Sequence, residues 1–132
     1  MGFTRAKFRV SGDRDCIEGI AIVDTGSLLS IIDENIAEKL GLKPTKRTIK
    51  LTTLSGEEVM CSEMLTSAFE IESEKLVSER VAVCKLSNNV REKLRVMGVY
   101  EGVIIGVVTL ETAGFAVNPL TGKIEKVGWL AL

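Results

Sequence analysis

The chain has 132 residues, of which 45% are hydrophobic and 27% charged, and its formal net charge is −1. This length and composition predict a single globular domain, residues 1–132, that can bury a core without stabilising metals or other cross-links. The balanced charge argues against nucleic acid as a main partner, because binding to phosphates depends on an excess of Lys and Arg.

Neither a membrane helix nor a signal peptide is evident in the sequence. No segment reaches the roughly 18–20 consecutive apolar residues that span a bilayer, and the opening MGFTRAKFRV has no long apolar run after its charges. We therefore expect a soluble, cytoplasmic protein with no membrane partner.

The chain contains no histidine. This excludes Ser-His and Cys-His nucleophiles and removes the commonest zinc ligand and general base. Any chemistry must come from carboxylates, Lys, Tyr or an unaided nucleophile, and no metal or other cofactor is expected. The three cysteines, Cys16, Cys61 and Cys84, are widely spaced and form no C-x-x-C pair, so we expect free thiols rather than a disulfide framework or a zinc site.

In chain order, the first predicted elements are strands at residues 3–10 and 16–23, joined by the turn GDRD. They form a hairpin that ends at Asp24. A short apolar strand is expected at residues 27–32. Asp33 then caps a short helix that Gly41 closes.

Short strands dominate the rest of the chain, which predicts an all-β barrel or sandwich with one or two short helices. Strands are predicted at residues 48–53, 58–62, 66–72 and 76–86, in GVIIGVV, and in a closing hairpin that turns at 118–122. Residues 87–98 are polar and form either a helical turn or a surface excursion. The stretch TLETAG, 109–114, is expected to be a short helix.

The motif D-T-G-S follows the apolar strand of residues 16–23. Asp24 is an ionisable group at the end of a strand, where Thr25 and Ser27 offer hydroxyls and Gly26 lets the backbone approach a ligand closely. A carboxylate on a rigid strand end suits chemistry. The alternative is a simple Asx-type turn.

The pattern apolar-apolar-D-T-G-S, followed by a short helix ending in L-G-L, resembles the retroviral-type (retropepsin-like) aspartic proteases. The resemblance continues in LTTLSGEEV, residues 51–59, where that family places its flap hairpin. It also covers the second half, where Ile104, Ile105 and Gly106 lead into a short helix at residues 107–112.

This resemblance implies a retropepsin-like closed β-barrel with one or two short helices and a flap hairpin, and an active site that needs two aspartates. The chain has one D-T-G and is too short for two lobes, so the implied enzyme is a homodimer in which each copy donates Asp24. Its substrate would be an extended peptide or unfolded protein segment. The implied site contains the loop residues Thr25, Gly26 and Ser27, the flap residues Leu54, Ser55 and Gly56, and the second-motif residues Ile104, Ile105 and Gly106.

Three readings stay open at this point: an aspartic endopeptidase, a non-catalytic homodimeric β module of the same fold that binds peptides, and a β domain in which D-T-G is only a turn. The sequence also departs from the family in two places. Val107 stands where the viral enzymes carry a polar residue that ties the site together, and the flap has one glycine, Gly56, instead of several.

Overall fold

The computed structural model describes residues 3–52 and 56–129. Within these ranges the chain forms eleven strands and three short helices, so the predicted all-β class is confirmed. The strands are β1 (Thr4–Ser11), β2 (Cys16–Val23), β3 (Ile31–Asp33), β4 (Lys43–Thr52), β5 (Glu58–Leu65), β6 (Ala68–Ile71), β7 (Glu74–Val77), β8 (Arg80–Cys84), β9 (Val103–Ile105), β10 (Phe115–Val117) and β11 (Ile124–Lys126). The helices are α1 (Glu34–Leu40), α2 (Asn88–Val96) and α3 (Val107–Thr112).

Nine strands form one sheet in the order β4-β5-β8-β3-β9-β2-β1-β6-β7, and β10 pairs with β11 in a separate two-stranded sheet. The end strands β4 and β7 are not hydrogen-bonded to each other in the described ranges, so closure of the sheet into a barrel is not seen there.

The short strand β9 lies between β2 and β3. It runs parallel to β2, with Val23 opposite Ile105, and antiparallel to β3, with Ile31 opposite Ile104. Because β2 and β3 are consecutive in the chain, the loop that joins them must arch over the end of β9. This topology brings Asp24 close to the residues that follow β9.

The core is built by strands that alternate buried and exposed residues. In β1, Ala6, Phe8 and Val10 are buried while their neighbours are half-buried or exposed. Phe69 of β6 and Leu110 of α3 belong to the same buried cluster. Burying a large apolar side chain contributes about 1.5–3 kcal/mol relative to leaving it exposed, so this cluster supplies a rigid base for the β2–β3 loop.

Helix α1 is present as predicted, with Asp33 as its N-cap. The Asp33 side chain accepts a hydrogen bond from the N–H of Asn35, and Gly41 closes the helix with φ 72°. Two predicted strands differ from the observed ones. The strand expected at 27–32 begins only at Ile31 because β9 pairs with no residue before it. The strand expected at 76–86 is split into β7 and β8 by a turn at Ser78, whose φ is 55°.

The expectation of free thiols is wrong for two of the three cysteines. Cys61 and Cys84 form a disulfide, while Cys16 is free and exposed. Strands β5 and β8 pair antiparallel with Ser62 opposite Val83, and one further step in this register sets Cys61 opposite Cys84. Both cysteines are buried in a small apolar cluster that also contains Leu29 of the β2–β3 loop.

Strands β4 and β5 form a long antiparallel hairpin in which Thr52 pairs with Glu58. Of the three residues predicted at its tip, Leu54 and Ser55 lie outside the described residues, while Gly56 has φ 88°, a backbone conformation that favours glycine. The polar segment 87–98 contains a true helix, α2, capped by the side chain of Ser87. In the described ranges, no helix is both long enough and apolar enough to cross a membrane.

Candidate active site

Asp24 follows the last residue of β2 and is held by its backbone on both sides. Its N–H donates to the carbonyl oxygen of Ile105 at 2.9 Å, and its own carbonyl accepts from the N–H of Ser27 at 3.0 Å. Its side-chain Oδ1 accepts a hydrogen bond from the N–H of Gly26 at 2.9 Å. The residue is exposed to solvent. The carboxylate is therefore fixed in direction while remaining open to a ligand.

The Gly26 bond is the contact an Asx turn makes, so the turn predicted as an alternative is present and the two readings do not exclude each other. A Cβ built on Gly26 would lie 3.2 Å from Oδ1 of Asp24. A larger side chain at this position would crowd the carboxylate, which explains why a glycine serves here.

The other two loop residues point to different surroundings. Ser27 is half-buried, and its hydroxyl donates to the carbonyl oxygen of Leu29 at 2.7 Å, which stiffens the loop. Thr25 is exposed and lines an apolar groove.

The second motif lies directly under this loop. A Cβ built on Gly106 would lie 2.4 Å from the carbonyl carbon and oxygen of Leu29, so only glycine fits at this contact. The N–H groups of Val107 and Val108 donate to the carbonyl oxygens of Ser27 at 2.8 Å and of Leu28 at 3.0 Å. Backbone bonds therefore connect this stretch to the loop, although Val107 replaces the polar residue of the viral enzymes.

The remaining predicted site residues divide into two groups. Ile105 is fully buried, and its carbonyl oxygen accepts the hydrogen bond from Asp24. Ile104 is half-buried and pairs with the neighbouring strands β2 and β3. Of the flap residues, only Gly56 is described, and a Cβ built on it would meet open space. The structure thus brings the D-T-G loop and the second motif together, whereas it gives no contact between Gly56 and Asp24.

Sequence reasoning missed one pair of residues next to this site. The hydroxyls of Ser30 and Thr109 lie 2.6 Å apart and both residues are buried. Each is a single polar residue inside an apolar run, LLSII for Ser30 and VVTL for Thr109. That interruption is the signal that could have identified them, because a buried hydroxyl needs a hydrogen-bond partner.

An apolar groove of about 810 Å³ runs from Thr25 between α3 and the β10–β11 hairpin. Trp129 forms part of its wall and donates from Nε1 to the carbonyl oxygen of Thr112 at 2.7 Å. The ammonium group of Lys126 lies 4.7 Å from the Trp129 ring centre. The lining residues are Thr25, Val107, Leu110, Glu111, Phe115, Ala116, Val117, Pro119, Val127, Gly128 and Trp129.

Comparison with known proteins places these features in a family. A family model described as aspartyl protease matches residues 6–109, which is most of the chain. This chain belongs to the aspartyl protease family. The range that the family model matches, residues 6–109, includes both the D-T-G loop and the second motif. A comparison with curated proteins found no match.

Among solved structures, this family member is similar to a retropepsin-like aspartic protease from Rickettsia conorii, with a TM-score of 0.54. The two are 15% identical, and the similarity covers 86% of this chain and 75% of the other. At this identity the match shows the fold alone. Together with the family match, it confirms the resemblance to retropepsin-like aspartic proteases that the sequence indicated.

Proposed function

We propose that this chain is an aspartic endopeptidase that hydrolyses peptide bonds in extended polypeptide segments, using a water activated by two Asp24 carboxylates, one from each chain of a homodimer. The observation that carries the proposal is the geometry of Asp24. Its Oδ1 is held by the N–H of Gly26 at 2.9 Å and its backbone is bonded to Ile105 at 2.9 Å. The carboxylate is nevertheless exposed, in a chain of the aspartyl protease family.

The second copy is needed because peptide hydrolysis requires both a base and an acid. The chain has a single D-T-G and no histidine. Two carboxylates about 3 Å apart cannot both be ionised, so they share one proton, and aspartic-protease dyads are the established example. A symmetric dimer supplies both groups from the same residue on each side of a two-fold axis.

In the proposed reaction, the ionised carboxylate takes a proton from water while the water oxygen forms a bond to the peptide carbonyl carbon. The protonated carboxyl group donates its proton to the carbonyl oxygen, giving a tetrahedral diol. The carboxyl group that took the water proton then donates it to the amide nitrogen, while the other, now ionised, takes a proton from one diol hydroxyl. The C–N bond breaks, a carboxylic acid and an amine leave, and the pair again holds one proton. No covalent enzyme intermediate and no cofactor take part.

The surface beside Asp24 supports the placement of a second copy there. Leu28, in the same loop, is 66% exposed. Val127 and Trp129, in the wall of the groove that Thr25 also lines, are exposed as well. Clustered exposed apolar side chains mark interaction surfaces. We place the two-fold axis beside Thr25, with the apolar groove at the edge of the interface.

The substrate would lie between this surface and the β4–β5 hairpin, and the residues predicted to form the flap, Leu54, Ser55 and Gly56, would cover it. An extended peptide can add as a strand and bond through its backbone, while apolar pockets select its side chains. Closure of the hairpin would exclude water from the reacting carbonyl.

Cleavage of an unfolded protein between pH 4 and 7, by the wild type and Asp24→Asn in parallel, tests this function. We expect the wild type to cleave and Asp24→Asn to be slower by about 10³-fold or more. In sedimentation, the active species should have twice the 14.3 kDa chain mass. Equal cleavage by both variants would overturn the proposal. Binding of the unfolded protein with no cleavage at any pH would favour the non-catalytic peptide-binding module.

A further inference from the structure

Two buried hydroxyls join the β2–β3 loop, residues 24–30 and here called the Asp24 loop, to the segment that follows β9. Ser30 is 0% exposed and Thr109 is 1% exposed. Their side-chain oxygens are 2.6 Å apart although the residues are 79 positions apart in the chain. The N–H of Gly106 also donates to Oγ of Ser30, at 2.9 Å. Ser30 therefore bonds at once to the second motif and to α3.

This pair is not explained by packing. A hydroxyl is costly to bury unless it is bonded, and valine would fill the space of Thr109 without that cost. Alanine at position 30 would leave the buried N–H of Gly106 without its acceptor. What the hydroxyls add is direction, because a hydrogen bond holds its two atoms at a set distance and angle. This fixed geometry bears on Asp24, because Ser30 is the last residue of the loop that begins with Asp24.

The start of α3 depends on the same loop. Its N-cap residue, Gly106, has no side chain to cap the helix. The N–H groups of Val107 and Val108 are instead accepted by the carbonyl oxygens of Ser27 and Leu28. The first turn of α3 and the Asp24 loop are therefore one hydrogen-bonded unit, which the Ser30–Thr109 pair fastens from the buried side.

We propose that Ser30 and Thr109 are positioning residues that fix the Asp24 carboxylate in the geometry needed to share a proton with its partner copy. This inference rests on the proposed function. Neither residue reaches the substrate, because both are buried. They act on Asp24 through the loop backbone and the Ile105 carbonyl to which Asp24 donates.

The test compares three variants in the full chain. Ser30→Ala removes the acceptor of Gly106, Thr109→Val removes one hydroxyl while keeping the shape, and Thr109→Ser keeps the hydroxyl while losing a methyl. Because a displacement of about 1 Å can cost about 100-fold in rate, we expect kcat to fall about 100-fold in Ser30→Ala and about 10-fold in Thr109→Val. KM should stay within about twofold in both.

Two further readouts separate positioning from simple loss of structure. The pH profile of kcat/KM should narrow in Ser30→Ala, because carboxylates that move apart hold the shared proton less firmly. It should keep its wild-type width in Thr109→Ser. Amide exchange measured by NMR should speed up at Gly106, Val107 and Val108 in Ser30→Ala, ahead of global unfolding.

Several results would overturn the inference. Wild-type kcat in Ser30→Ala would do so directly, and equal losses in Thr109→Val and Thr109→Ser would show that packing, not the hydroxyl, matters. If Ser30→Ala does not fold, the two Thr109 variants carry the test. A wild type that cleaves nothing would defeat the proposed function. Unchanged amide exchange at Gly106 in Ser30→Ala would show, whatever the activity, that the hydrogen bonds of Ser30 do not hold the loop against α3.

Discussion

The contact between Gly106 and the Asp24 loop leads to the sharpest prediction about this chain. A Cβ at position 106 would lie 2.4 Å from the carbonyl carbon and oxygen of Leu29 and 2.7 Å from the nitrogen of Ser30. All three are backbone atoms, so no side-chain rotation relieves the contact. Ordinary contacts begin near 3.4 Å, so Gly106→Ala must push the loop away by about 1 Å.

Two magnitudes follow from this displacement. Overpacking of this kind costs about 1–3 kcal/mol, and weakening the Gly106–Ser30 hydrogen bond adds about 1 kcal/mol. With an m-value of about 2 kcal/mol per molar urea, the unfolding midpoint should fall by about 1–2 M. If Asp24 is catalytic, the same shift of about 1 Å should lower kcat by about 100-fold.

Gly12→Ala provides the matched control. A Cβ there would lie 2.2 Å from the carbonyl oxygen of Leu40, also a backbone atom, in the turn between β1 and β2. Urea unfolding and peptide cleavage are measured on both variants. Both should lose stability, but only Gly106→Ala should lose kcat. Full kcat in Gly106→Ala, or an equal loss of kcat in Gly12→Ala, would refute the link between this contact and the site.

Two further predictions concern stability. Cys61 and Cys84 are 23 positions apart, so reducing their disulfide should lower the free energy of unfolding by about 3 kcal/mol. Cys16→Ser keeps the disulfide and should show the same fall of the urea midpoint when reductant is added; a midpoint that reductant does not move in either protein would contradict this. Asp33 is buried and accepts from Nη2 of Arg91 at 2.9 Å, so Asp33→Ala should cost about 2–4 kcal/mol by leaving Arg91 without its partner and α1 without its cap. Asp33→Asn should lose less because asparagine loses the ion pair but still caps the helix, and equal losses in thermal melts would rule out the contribution of the cap.

Local signals in the sequence were sufficient for the parts of the fold that depend on neighbouring residues. Helix α1 is predictable because its cap, its apolar spacing and its closing glycine all lie within nine residues. The D-T-G loop is predictable for the same reason, because the strand before it and the turn after it are consecutive. The family match then covers both.

Features that depend on strand order could not be predicted this way. No local pattern in the sequence shows that β9 lies between β2 and β3 in the sheet. This strand order brings Gly106 into contact with the backbone of Leu29. The Cys61–Cys84 pairing likewise depends on the register of β5 against β8. Disulfides persist mainly in oxidising compartments, so the cytoplasmic location stays a prediction that this disulfide does not support.

The central claim is that Asp24 of one chain works only with Asp24 of a second. The most direct measurement holds the wild-type concentration constant and adds increasing Asp24→Asn chain, under conditions in which subunits exchange. If the site is shared, mixed dimers are inactive, and a threefold excess of the variant should leave about one quarter of the cleavage rate. A rate that does not change as Asp24→Asn is added would contradict the claim, because each wild-type chain would then be complete by itself.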